Sequence, residues 1–294
     1  MKPLQIAIYL FLAVTWGFSF MIVLHVVLAF GWAGAVTFRS LLSGALLLGS
    51  ARLIGRKLDF GGHWKHLAIV GATTVAGQLV FMSIGVPRIG TAMSSIFVAA
   101  IPLFSMIISQ LWGLERITQR GLAGIALGLV GILMLVGFPA EPITATFLFG
   151  CACSLLAAFF AAYGSNHVSR HIGSLGAWEV TIASSVIGGL ITLPLMIPVP
   201  VPGPISMVDF GWLFALAAII SALNYTLYFK LVAEIGATQT ISVEFLVTVV
   251  AVIVGTMLLG EELSLLQFAG AAIIICGCVL VLDLFKPKEP DIHG

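Results

Sequence analysis

Charge is scarce in this chain. Asp, Glu, Lys and Arg supply 9% of its 294 residues, against about a quarter in an ordinary globular domain, so a water-facing surface cannot be made from it. Phosphate-binding loops are missing as well, which removes nucleotide-driven chemistry. No cofactor is expected, and nucleic acid is not an expected partner. A convincing nucleophile–base pair, a metal cluster and a glycine-flanked serine are all lacking, so an enzyme embedded in the membrane is the weaker alternative. Cysteine appears four times, as Cys151/Cys153 and Cys276/Cys278. Residues two apart on a helix point to different faces, so neither pair makes a local metal clamp. They read as small packing residues, with no disulfide or redox role. A chain of midspan acids or histidines is also lacking. His25, His63, His66, His167, His171 and His293 fall at ends, in loops or in the tail. The His167 to His171 spacing could hold zinc on one helical face, but it reads as a surface pair, and no metal site is expected.

Apolar sequence is abundant: 60% of residues are hydrophobic and mean hydropathy is +1.17. Hydrocarbon about 30 Å thick takes roughly 20 apolar residues per helical crossing. Ten such runs occur. They lie near Leu4–Leu24, Trp32–Ile54, Leu67–Val86, Thr91–Leu114, Gly121–Phe138, Thr146–Val168, Ala177–Ile197, Phe210–Val232, Thr238–Leu259 and Leu263–Leu284. Helices fit these lengths; barrel strands would be short and alternating. The first run lacks a small-x-small cleavage site and is expected to stay as a span.

Assigning alternate loops to opposite sides sorts the basic residues. Eleven of the 13 Lys and Arg fall on one side, Arg88 on the other, and Arg39 within a span. The positive-inside rule then puts both termini in the cytoplasm and the Pro198, Pro200, Pro202 and Pro204 connector outside, as a stiff extended linker.

The halves repeat weakly at an offset of 146 residues. Ile89-Gly90 meets Ile235-Gly236, Glu115 meets Glu261, Thr118 meets Ser264, Gly124 meets Gly270 and Gly131 meets Gly277. Five helices per repeat, an odd number, orient the halves oppositely, the architecture of many alternating-access carriers. The expected fold is all-α: ten transmembrane helices as two inverted five-helix repeats, 1–140 and 141–286, with a cytoplasmic tail at 287–294.

With Trp16-Gly17, Phe38-Arg39, Leu41-Leu42, Pro102, and the two helix-ending glutamates each followed by Thr118 or Ser264 and a glycine, the chain resembles the ten-helix EamA-type exporters of the drug/metabolite transporter superfamily. The resemblance implies a multi-pass inner-membrane protein of bacterial type that exports small metabolites. Amino acids, aromatic or otherwise apolar, are the nearest substrate class; drugs or other metabolites moved by proton exchange are the alternative. Thr248 occupies the position matching Pro102, so a kink in the ninth helix lacks the proline many relatives carry.

Polar side chains inside a bilayer are costly and usually face the bundle interior. The same offset pairs Gln78 with Asn224, both near midspan, as amides beside a central cavity or as interhelical packing bonds. Trp16 answers Tyr163 with one residue of slippage, and Tyr228 shares a helical face with Asn224. Such rings stack on a planar or apolar solute or simply fill the core. Ser19 and Ser94 are weaker candidates. Arg39 offers a cation to a carboxylate at the outer mouth or bonds structurally at a helix end. Glu244, whose counterpart is the apolar Val98, offers a carboxylate to an amino group or a proton. Gly90 and Gly236 begin equivalent helices and read as paired hinges. The glycine stripes of the fifth and tenth helices read as packing faces.

Overall fold

A computed structural model describes residues 2–113, 118–137, 142–235 and 240–281. Among these residues the chain is helical, with no strand. Seven helical segments are long and apolar enough to cross a membrane: α1 (Pro3–Leu53), α2 (Trp64–Ile89), α3 (Thr91–Leu111), α4 (Gln119–Gly137), α5 (Ala145–His171), α6 (Ala177–Met196) and α7 (Met207–Ile235). Two shorter apolar helices follow, α8 (Val243–Leu258) and α9 (Leu265–Leu280).

The segment α1 is two arms joined at one glycine. As a single rod its 51 residues would run about 77 Å, more than twice the hydrocarbon thickness. Gly31 interrupts it at φ 70° and ψ 159°, backbone that only glycine adopts at low cost. The arms fold together there, with Phe30 edge-on to Phe38 at 5.9 Å. The hydropathy runs predict a loop at 25–31. These residues stay helical up to Gly31 because Val26, Val27 and Phe30 are buried in the core.

Contacts define two ends of the bundle. At one end the Gln5 amide donates to Glu234, Arg56 approaches Glu179, and Arg170 covers the Trp112 ring. At the other, His25 meets Asp209 at 3.0 Å, and the Glu261 carboxylate accepts hydrogen bonds from the Thr91 and Ala92 N–H groups at 2.7 and 2.8 Å. Leu122, Leu129 and Leu133 of α4, among many other large apolar side chains, stand exposed on the outside, as a lipid-facing surface requires and an aqueous one does not.

The internal repeat is visible in the backbone. α2 and α7 each contain a π-helical stretch, Gly71–Gly77 and Leu216–Leu223. Each ends at the residue before Gln78 or Asn224, the pair the sequence offset matches. Wide turns of this kind are uncommon and concentrate at functional places. α4 and α9 also cross through their glycines. A Cβ on Gly131 would stand 2.7 Å from the Gly270 carbonyl oxygen, and one on Gly277 2.6 Å from that of Gly124. The repeat equates Gly124 with Gly270 and Gly131 with Gly277. The contact is therefore self-matching and antiparallel, as a local two-fold axis between the helices requires.

The halves differ at Pro102. α3 turns at Ala99–Ala100, between helical pieces Thr91–Val98 and Ile101–Leu111, with Pro102 near the start of the second. α8 runs helically through Thr248. The Thr248 hydroxyl lies 2.9 Å from the Ser95 carbonyl oxygen of α3 and 2.8 Å from the Glu244 carbonyl oxygen. α8 thus passes the proline-free position without a break.

Candidate functional site

A cavity of about 60 Å³ lies where α1, α2, α3, α5, α7 and α8 converge. It has room for a few waters rather than a drug-sized solute, so a solute enters only when the walls part. Its lining follows the repeat. Thr74 faces it with Ile220, Leu79 with Tyr225, and Met82 with Tyr228. Val98 likewise faces it with Glu244, and Ile101 with Val247. Each pair is separated by the same 146 residues, so the cavity straddles the relation between the halves.

Six residues singled out in the sequence come together here: Trp16, Ser19, Arg39, Gln78, Tyr228 and Glu244. The Trp16 ring lies 5.4 Å from Tyr228 and 5.8 Å from Tyr225, and its indole N–H points to the Ile220 carbonyl at 3.4 Å, within the π-helical stretch of α7. The Ser19 hydroxyl donates to the Trp16 carbonyl at 2.6 Å. Three rings and one indole donor thus form an apolar wall with polar tips.

Arg39 is 3% exposed. Its Nε and Nη2 donate to the Ser221 hydroxyl at 3.1 and 3.0 Å. Among the described residues no carboxylate lies within ion-pair distance of it, and a buried guanidinium with one hydroxyl partner has donors to spare. Glu244 is half-buried; among the described residues its carboxylate makes no hydrogen bond or ion pair, and Tyr9, Tyr225 and Tyr228 lie within its electrostatic reach. The Gln78 amide, also half-buried, is likewise uncommitted. A guanidinium, a carboxyl group and an amide therefore border a single aromatic-walled space.

Other candidates lie elsewhere. Asn224 is fully buried outside the lining. Its amide nitrogen donates to the Thr15 hydroxyl at 2.8 Å, while its carbonyl oxygen has no partner among the described residues. Ser94 is buried, and its hydroxyl has no partner among the described residues. Tyr163 stacks on His167 and meets Trp112 edge-on at 5.1 Å. Gly90 sits at φ 82° between α2 and α3, where a Cβ would stand 3.0 Å from the Glu261 carboxylate. Gly236 lies outside the described residues. Sequence reasoning missed Tyr225, Ser165 and Thr74 in the lining. The signal for Tyr225 was available: it adjoins Asn224 and pairs with Leu79 by the same offset.

Packed apolar helices with apolar exteriors around a central cavity that holds a few polar and charged side chains are the architecture of a multi-pass membrane protein. The chain belongs to the EamA-like transporter family, whose pattern matches residues 4–137 and again 148–283, so the family domain occurs twice. It is 28% identical over 251 residues to the uncharacterized inner membrane transporter YedA of Escherichia coli K12, covering 83% of this chain and 79% of that protein. It is 26% identical to a probable amino-acid metabolite efflux pump of Salmonella typhimurium, covering 74% and 77%. A probable terminal-alkyne amino-acid exporter of Streptantibioticus cattleyicolor is 24% identical, over 91% and 90%. A solved crystal structure shares the fold, with TM-score 0.69, 13% identity, and 95% and 96% of the two chains covered.

Proposed function

We propose that this transporter is a ten-span, inverted-repeat carrier, with repeats at 1–140 and 141–286, a tail at 287–294 and both termini in the cytoplasm, that exports amino acids with apolar or aromatic side chains across the inner membrane. The observation that carries the reading is the shared cavity of Arg39 and Glu244. A guanidinium matches an α-carboxylate, a carboxylate matches an α-ammonium, and the Trp16, Tyr225 and Tyr228 rings match an apolar side chain. The names of two relatives, which speak of amino acids, agree with that chemistry. Access alternates as the two repeats rock about the cavity, with Gly90 and Gly236 as hinges. Gln78 and the remaining candidates, Ser19, Ser94, Tyr163 and Asn224, bind solute or shape the walls. Small solute and lipid are the partners this mechanism needs, with neither nucleotide nor nucleic acid.

The test is efflux from liposomes carrying the purified protein and loaded with mixed amino acids. Selective protein-dependent loss of apolar and aromatic amino acids is the expected result. An unchanged mixture across a broad panel would overturn the carrier reading. Gln78→Ala and Asn224→Ala should slow efflux at near-normal folded yield; loss of folded protein instead would make those amides scaffold.

A second reading, proton exchange through Glu244, rests on that carboxylate facing the cavity without a partner among the described residues. Flux that responds to an imposed pH gradient in the native protein but not in Glu244→Gln supports it. Flux indifferent to the gradient in both rejects it and leaves facilitated export.

A further inference from the structure

We infer that His66, His167 and His171 form a binding site for a divalent transition-metal cation at the basic end of the bundle. His66 projects from the first turn of α2; His167 and His171 project from the last turns of α5. One ligand atom from each imidazole lies within 4.8 Å of the others. His66 Nδ1 and His167 Nε2 are 3.1 Å apart, and the three rings gather with centroids 4.4 to 5.2 Å from one another. Sequence spacing showed only a two-histidine face on one helix. The third imidazole comes from about a hundred residues away, which spacing does not reveal.

The geometry suits a metal. Zinc-to-imidazole bonds of about 2.0–2.1 Å in a tetrahedron put ligand nitrogens roughly 3.3 Å apart. The His66–His167 pair already has nearly that separation, so only the exposed His171 must close in, by at most about 1.5 Å, within the reach of a surface rotamer change. His171 Nδ1 lies 3.3 Å from the His167 carbonyl oxygen. A ring held through Nδ1 presents Nε2 outward, the usual outer-shell arrangement of a metal-ligating imidazole. The His63 ring, 6.2 Å from that of His66, or a water can complete four-coordination. An all-imidazole set selects zinc, nickel or copper over magnesium or calcium. Of the neighbouring cations, Arg170 is turned onto the Trp112 ring at 5.4 Å, and Lys65 adjoins His66 in sequence. Metal there ties α2 to α5 across the two family-domain repeats. Binding itself does not depend on the proposed substrate.

Trp112 supplies a readout, its ring lying 6.3 and 6.4 Å from the His167 and His171 rings. Untagged protein in detergent is titrated with zinc chloride by calorimetry and with nickel chloride by tryptophan fluorescence. One zinc per chain should bind, nickel should quench fluorescence, and the quenching should shrink in Trp112→Phe. Affinity should fall about tenfold or more in His66→Gln and in His171→Gln. His171 is exposed, so its variant tests the site even where a change at buried His167 disturbs folding. Absence of zinc binding by the native protein, or equal stoichiometry and affinity in both histidine variants, would overturn the inference.

Discussion

At three of the five paired lining positions the first repeat brings an apolar side chain where the second brings an aromatic or acidic one; Thr74 against Ile220 runs the other way, and Ile101 against Val247 is apolar in both. Leu79, Met82 and Val98 in one half stand where the other has Tyr225, Tyr228 and Glu244. The first half compensates with Arg39 and Gln78, and it breaks α3 ahead of Pro102 where the second keeps α8 helical through Thr248. Under the proposed mechanism, shared backbone with unlike side chains lets the symmetry serve movement and the asymmetry serve recognition. A carrier can rock between related states while holding an unsymmetrical solute with a carboxylate at one end, an ammonium at the other and a side chain between.

That contrast can be broken most severely at its charges. Losing a charged hydrogen bond to a solute costs roughly 1.5–3 kcal/mol, so Glu244→Val should lower amino-acid efflux about 10- to 100-fold at normal folded yield. Adding Val98→Glu to that variant returns the carboxylate through the other repeat, and partial recovery of flux is expected if the two positions face the same solute. The glycine crossing comes next. In Gly131→Val the new side chain meets the Gly270 backbone, and overpacking of about 1–3 kcal/mol should lower the unfolding midpoint measured by a thermal shift in detergent. Gly90→Ala forces a side chain into backbone reserved for glycine, at roughly 1–3 kcal/mol, and crowds Glu261; lowered stability with slower transport is expected, readable on one preparation. Smallest is Thr248→Val, which removes the α8-to-α3 hydroxyl bond and should cost about 0.6 kcal/mol in unfolding free energy.

Hydropathy made the apolar spans legible, because lipid imposes one composition on every crossing, and the offset of 146 residues paired the glycines that meet between α4 and α9 and paired Gln78 with Asn224; the π-helical stretches ahead of those amides had no signal in the sequence. Rotation about each helix axis was less legible. Gln78 faces the cavity while its counterpart Asn224 turns to Thr15, and Tyr163 joins the histidines rather than Trp16. Both amides follow a π-helical stretch and Tyr163 lies on a regular α-helix, so which face turns inward is set by the packed neighbours, which a 3.6-residue period does not register. Contacts between helices distant in sequence, such as His66 with His167 and Glu261 with the start of α3, leave no periodic trace. Arg39 shows the middle case. Its presence within a span marked it for a partner, yet that the partner would be the Ser221 hydroxyl followed only from the fold.

The central claim is that Arg39 and Glu244 grip opposite ends of one zwitterion. It is tested most directly by comparing efflux of phenylalanine, of its amine lacking the carboxylate and of its acid lacking the amino group, in native protein, Arg39→Gln and Glu244→Gln. The account predicts that the native protein moves the amino acid about tenfold or more faster than either analogue. Arg39→Gln should lose discrimination against the amine, and Glu244→Gln against the acid. Equal movement of all three compounds by the native protein, or unchanged selectivity in both variants, would contradict it.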